Sequence, residues 1–253
     1  MTVHVDQRDG TAVLRMDAGK VNAMDLALLE DLTGALTAVA RDPGVRAVVL
    51  TGNDRVFCAG VDLPAIVQGG PAHARAFITA LGACFEAVLR CPLPVVAAVE
   101  GHAIAGGCVL FSAADHRVVV DDPRARLGLT ELAVGVPFPT SAVEVMRWRL
   151  GDAALARRVL LADTVPAADA LAHGLADQVV PAEQLLDRAL EVAQQLAAVP
   201  ADAFALTKAQ LQAGVRERID ARRGAWEERV STAWGSEQTL TAIGAFVERT
   251  LRR

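Results

Sequence analysis

Apolar and polar positions alternate in two short segments at the start of the chain, 3–6 and 13–16, with an Asp9-Gly10 pair between them. Alternation marks a half-buried strand, and Asp-Gly suits the tight turn of a hairpin, so the two segments read as paired strands. From 24 to 40 the period changes: Met24, Leu28, Leu29, Leu32, Leu36 and Val39 recur at helical spacing until Asp42-Pro43-Gly44 ends the run. Arg46 to Leu50, apolar after its first residue, reads as a buried strand. A helical pattern over 72–89 follows, and Pro92 and Pro94 stop it ahead of the very apolar strand 95–99. A Gly-rich turn, a short apolar helix over 107–114 and a strand over 116–120 continue the order.

Strand and helix thus alternate through the first two thirds, which predicts an α/β core. From Ser141 onward the pattern is almost wholly helical, broken at Gly151, Pro166, Pro181 and Pro200. Beyond Ala201, two apolar stripes (Trp226, Val230, Trp234; then Leu240, Ile243, Val247, Leu251) predict helices that each bury one face. No Pro/Ser-rich linker interrupts the chain. The expectation is one core over 1–200 and a helical region over 201–253 that packs on a neighbouring subunit.

Composition supports assembly more than membrane insertion. Apolar residues make up 53% of the chain and mean hydropathy is +0.32, high for a soluble monomer, so some apolar surface is expected to lie against another copy. The longest stretch free of Asp, Glu, Lys and Arg, 101–114, falls short of the roughly 18 residues a spanning helix needs. No segment is therefore expected to cross a bilayer. The opening MTVHVDQRDG carries charge where an export signal needs an apolar run, so a cytoplasmic location is expected. Cys58, Cys84, Cys91 and Cys108 form no CxxC pair and read as free thiols. A net charge of −5 gives no footprint for nucleic acid. All but two of the 25 basic residues are Arg. Lys20 and Lys208 either mark places that want a compact point charge or are ordinary solvated residues.

Several chemistries are disfavoured. There is no GxxxxGKS/T loop, no GxGxxG after a strand, no HExxH and no GxSxG elbow. The five His residues lie far apart without ligand spacing, so no metal site is expected. The chain has no Tyr, which excludes a phenol as acid, base or oxyanion donor.

Three segments remain. In VFCAGVDL (56–63), Ala59 and Gly60 make a narrow turn after which the Val61 amide can point outward. In GHAIAGGCVL (101–110), Gly106 and Gly107 open an apolar helix, where main-chain N–H groups lack helical partners. In LGLTELAVGVPF (127–138), Glu131 sits among Leu129, Leu132, Ala133 and Val134. A carboxylate in such company is costly unless paired or used, and desolvation raises its pKa toward the range of a general base. Singly, each has a plainer reading: a strand-to-helix turn, close helix–strand packing, or a surface Glu.

Together and in this order the three segments resemble the crotonase superfamily of enoyl-CoA hydratases and isomerases. The likeness extends from KVNAM near residue 20 through AHGLADQVVP (172–181) and ALTKAQL (205–211), nearly the whole chain. It implies a spiral core of repeated ββα units with a C-terminal helical oligomerisation region, assembled as a homotrimer or a pair of trimers. It further implies an acyl-CoA substrate, with no cofactor beyond the coenzyme A that the substrate carries. Val61 and Gly106 correspond to the amides that hold the thioester oxygen. Lys20, Val21, Asn22 and Ala23 correspond to the segment along the nucleotide end, and Cys58, Ala59, Asp62 and Leu63 to the pantetheine path.

The family's hydratases use two glutamates, one in the third motif and one three residues after the second amide donor. Here these positions are Glu131 and Val109. Helical spacing returns 109 to the side of Gly106, so Val109 sets two methyls where a carboxylate helps orient water. Loss of a positioned acid or base costs roughly 10²–10⁴ in rate. A double-bond shift needs only one base, and the single Glu before VGVPF resembles the isomerase branch, so isomerisation of 3-enoyl-CoA is favoured. The alternatives are hydration of 2-enoyl-CoA or another acyl-CoA reaction, with Glu86, Glu100 or Asp115 as the further polar group, and a non-catalytic acyl-CoA carrier.

Overall fold

The computed structural model describes residues 1–53 and 55–251. The chain opens with β1 (Val3–Arg8) and β2 (Thr11–Met16), an antiparallel hairpin. Asp9 and Gly10 turn it with φ of 48° and 77°, the backbone that an Asp-Gly turn supplies. Helix α1 (Leu26–Val39) starts two residues later than its apolar period suggests. Asp25 caps it by accepting the Leu28 amide, and Met24 instead pairs with Val61 in an isolated bridge.

Three ββα units follow. The first is β3 (Ala47–Thr51), β4 (Val56–Cys58) and α2 (Leu63–Arg90). The second is β5 (Val95–Val99), β6 (His102–Ile104) and α3 (Gly106–Ser112). The third is β7 (His116–Val120), β8 (Arg126–Gly128) and α4 (Glu131–Val134). Then come α5 (Thr140–Leu150), α6 (Asp152–Leu161), β9 (Thr164–Pro166), β10 (Gln178–Val180), α7 (Leu185–Ala197), α8 (Ala201–Leu211), α9 (Ala213–Trp234) and α10 (Glu237–Leu251).

The first strand of each unit joins a six-stranded sheet of order β1-β2-β3-β5-β7-β10, parallel from β2 onward. β3 and β5 are buried at every residue, as expected for a parallel sheet covered on both faces. The second strands form a separate sheet, β4-β6-β8, closed by antiparallel β9. The pattern along the chain shows none of these three-residue strands, and the region after Ser141, expected to be almost wholly helical, contributes β9 and β10 beside its breaks at Pro166 and Pro181.

α2 also begins nine residues before its expected start at 72. Gly70 interrupts it with φ 70°, so two helical stretches meet at a kink next to Pro71. α2 is long and apolar enough to cross a membrane. It packs instead against α1, α5, α9 and α10, burying Phe77, Ile78, Leu81, Phe85, Val88 and Leu89.

The last helices close over this core. The carboxylate of Glu144 on α5 accepts from Arg218 (2.7 Å) and Arg222 (2.6 Å) on α9 and also from Arg147. Val230 and Trp234 are buried as their stripe predicts, whereas Trp226 is 49% exposed. In the second stripe Ile243 is fully buried and Leu240 and Val247 pack partly on the core, and the side chain of Leu251 lies outside the described residues. Lys208 is a compact buried charge: its Nζ donates to Asp115 Oδ2 (2.6 Å) and to the Leu93 carbonyl (3.2 Å).

Candidate active site

The small sheet positions the chemistry. Its three parallel strands β4, β6 and β8 end side by side, and just past their carboxyl ends come Val61, Gly106 and Glu131, one from each ββα unit. Ligands gather at such strand ends in α/β folds because the chain must turn there and expose main-chain groups. The strands of the main sheet do not lead directly into the site: β4, β6 and β8 stand between.

The motifs lock together through close backbone contacts. A Cβ on Gly60 would lie 3.1 Å from the Ile104 carbonyl oxygen, and one on Gly107 would lie 2.4 Å from that of Cys58. Glycine at 107 is therefore what lets α3 dock on β4. The Ala105 amide donates to the Gly128 carbonyl (2.8 Å), tying the second motif to the third. Ala105 holds φ 51° and ψ −122°, a conformation that costs an L residue about 1–3 kcal/mol and that presents the start of α3 to the cavity. Arg149 steadies the far end of α3 by donating to the carbonyls of Ser112 and Ala114.

Val61, Gly106 and Glu131 line one cavity of about 150 Å³. Among the described residues neither the Val61 nor the Gly106 amide donates to a main-chain carbonyl. Glu131 is 8% exposed, and its Oε2 is buried with no hydrogen-bond partner among the described residues. Burial lifts this carboxyl from the ordinary 4.5 to about 8, and the amides of Glu131 itself and Thr130 offset that only in part. Such a group passes between acid and base near neutral pH.

The remaining expected residues divide. Ala59, Val61 and Leu63 face the cavity. Segment 20–23 runs beside the first motif: Ala59 donates to the Val21 carbonyl (3.0 Å) and Met24 to that of Gly60 (2.7 Å). Lys20 and Val21 are exposed and Ala23 is half-buried. Asn22 is fully buried, so its side chain cannot line a nucleotide path. Its amide donates to the carbonyls of Met16, Val56 and Phe57, and its Oδ1 accepts from Ala18, which brackets the segment onto β4. Cys58 is also fully buried, its thiol pushed up to about 12 by burial, and its Sγ accepts from the Gly60 amide. Asp62 caps α2 by accepting the Ala65 amide.

Val109 and the three candidate acids can also be placed. Val109 is fully buried on α3 and is not among the residues that line the cavity. Glu86, Glu100 and Asp115 are engaged elsewhere: Glu86 with Arg90 and Arg223, Glu100 with Thr51 and the Gly52 amide, Asp115 with Lys208 and the Val95 amide. The sequence placed the pocket walls around 64–75 and in the helical tail; the tail contributes, whereas 64–75 does not line this cavity. Leu81 and Phe85 come from α2, Val136 and Pro137 from the turn after α4, and Trp234 and Phe246 from the last two helices. The apolar stripe of α9 was the available signal for Trp234, but a stripe tells that a side chain is buried and not what lies across from it.

The stacked ββα units and the second small sheet define a crotonase-type α/β protein. The enoyl-CoA hydratase/isomerase family model matches residues 6–251, and the chain belongs to that family. Human mitochondrial enoyl-CoA delta isomerase 1 is 31% identical over 249 residues, 98% of this chain and 82% of that protein. A putative enoyl-CoA hydratase of Thermus thermophilus is 34% identical over 234 residues, 88% of this chain and 91% of the relative. The crystal structure of human mitochondrial delta3-delta2-enoyl-CoA isomerase superposes with a TM-score of 0.94 at 29% identity, covering 100% of this chain and 99% of the other. A probable enoyl-CoA hydratase of Mycobacterium tuberculosis gives 0.81 at 36% identity, covering 91% and 98%.

Proposed function

We propose that the protein shifts the double bond of a 3-enoyl-CoA to give the 2-enoyl-CoA. The Glu131 carboxylate takes a proton from C2, the electron pair delocalises into a dienolate, and the Val61 and Gly106 amides stabilise the charge gathering on the thioester oxygen. Glu131 then returns the proton to C4, leaving the double bond between C2 and C3. Each amide in such a pair is worth about 2.7–4 kcal/mol in the transition state. Coenzyme A extends along 20–23 and the first motif, held mostly by main-chain groups, and the reaction needs no other cofactor.

One observation carries this reading: among the described residues that line the cavity, Glu131 is the only ionisable side chain. A single acid/base suffices for isomerisation, whereas hydration gains from a second. The Thermus thermophilus relative, a putative enoyl-CoA hydratase, supports hydration of 2-enoyl-CoA as the second reading. Offering the purified protein 3-enoyl-CoA and 2-enoyl-CoA separately decides between them. Faster turnover of the 3-enoyl thioester is expected, and fast hydration with slow isomerisation would overturn the choice. The same reading extends to a homotrimer or pair of trimers. Leu160, Leu161, Leu206 and Leu211, each at least 64% exposed, are available for burial between copies, and light scattering tests this.

A further inference from the structure

The walls of the cavity carry information about the substrate that the reacting groups do not. They divide by exposure. Leu81 (3% exposed), Phe85 (0%), Ala142 (1%) and Trp234 (1%) are sealed inside the protein and form the floor. Leu63 and Phe246 are half-buried and form the rim.

The floor lies close to the reacting end. A Cβ placed on Gly106 would sit 3.7 Å from both Leu81 Cδ1 and Phe85 Cζ, one van der Waals contact. Leu81 and Phe85 thus close the space beside the proposed amide donor, and Trp234 lines the same cavity. There the indole is held on two sides: its Nε1 donates to the Pro137 carbonyl (2.9 Å), and its ring lies against Phe77 with centroids 6.1 Å apart. Swinging it aside would leave a buried donor and acceptor unpaired, which keeps it in place. Phe246, on α10, is half-buried, with the guanidinium of exposed Arg249 over its ring at 5.8 Å.

We infer that this cavity takes only short acyl chains and that Trp234 is the side chain that sets the limit. The inference rests on the acyl part of the thioester occupying this cavity, as proposed above, and not on which reaction follows. The volume of about 150 Å³ is half or less of the roughly 300–1,000 Å³ of a usual small-molecule pocket. So small a cavity suits a short acyl chain.

The test is a series of saturated acyl-CoAs from butyryl to dodecanoyl, with dissociation constants measured by calorimetry on the wild-type protein and on Trp234→Ala. Each methylene that finds apolar wall tightens binding about fourfold. The wild-type series should tighten at that rate up to about six carbons and then level off or weaken. In Trp234→Ala the dodecanoyl-to-hexanoyl affinity ratio should rise at least tenfold. Wild-type affinity that climbs through dodecanoyl overturns the limit, and an unchanged ratio in folded Trp234→Ala overturns the role of Trp234. Should that variant fail to fold, Trp234→Phe, which keeps a ring in place, should move the break by about two carbons, and an unmoved break counts against Trp234. Failure of every acyl-CoA to bind would instead sink the proposed function, so the two failures are distinct.

Discussion

Glu131 and Glu144 are both helical and nearly sealed from solvent, at 8% and 1% exposure, yet their acidities move in opposite directions. Burial pushes Glu144 up, but hydrogen bonds from Arg147 and Arg218 and the charges of Arg147 and Arg222 more than offset it and hold the carboxyl below 4.5. Glu131 meets two main-chain amides and no guanidinium, so burial wins and the carboxyl rises to about 8. The difference teaches that burial alone does not assign a role to a carboxylate. One with cations around it fastens two helices, whereas one left without them keeps a cost that packing does not explain.

Substituting each residue separates these roles. Glu131→Gln keeps the shape and removes the base, so turnover of 3-enoyl-CoA should fall about 10²–10⁴-fold, while circular dichroism and melting at pH 8 show a fold at least as stable. Unchanged turnover would sink the base and with it the comparison. Glu144→Gln should do the reverse. Turnover per folded molecule stays put, and urea unfolding shows a loss of about 2 kcal/mol. That is less than the 3–5 kcal/mol of a fully buried pair, because Arg218 and Arg222 are 36% and 46% exposed and can turn to water.

The two carboxylates were unequally legible in the sequence, as were the two sheets. Long strands of the main sheet leave a readable apolar run, and 95–99 and 116–120 were placed at the bounds the structure shows. Three residues are too few to show a period, so β4, β6 and β8 were invisible although they carry the site. Gly69, Gly70 and Pro71 look like a helix breaker, which hid the first turns of α2; the backbone does break there, but helix lies on both sides. Glu131 stood out because apolar residues flank it in sequence, although Leu132 and Ala133 are exposed and the carboxyl is buried in the cavity instead. Two of the three partners of Glu144, Arg218 and Arg222, lie on a helix more than seventy residues away, a pairing that local pattern cannot reveal. Letters likewise do not display that the side-chain bonds of Asn22 all go to main-chain groups and hold segment 20–23 on β4.

Titration sharpens the contrast, because the signs differ. For Glu131 the folded value lies above the unfolded 4.5, so its contribution to stability is fully present below 4.5 and is lost as pH rises toward about 8. For Glu144 the folded value is depressed, so its contribution is present above 4.5 and is lost as pH falls through the folded value. Relative to wild type, Glu131→Gln should therefore gain stability between about pH 4.5 and 8, and Glu144→Gln should lose its deficit in acid. Catalysis follows the ionised base: kcat/KM should rise with pH to a plateau above about 8. At pH 7 about a tenth of free enzyme would be competent, roughly a tenfold loss from the plateau. A profile flat from pH 6 to 9 would mean that Glu131 is not the group that titrates.

The smallest effect tests whether Glu144 owes its acidity to a cluster or to one contact. Arg222 is the most exposed of its three partners. Arg222→Met keeps an apolar stem of similar reach while removing one charge, and Arg147 and Arg218 still hold the carboxylate. An exposed pair of this kind contributes about 0.2–1 kcal/mol, so urea unfolding should detect a loss of about 0.5 kcal/mol. At 1 M salt, where the screening length is about 3 Å, the loss should shrink further. The pH–rate profile should stay where it is, since the guanidinium serves the other carboxylate. A loss as large as that of Glu144→Gln would mean that Glu144 depends on one partner. A moved rate profile would mean that the α5–α9 cluster reaches the cavity after all, and the two buried carboxylates would then be one coupled system instead of two separate solutions to the same burial.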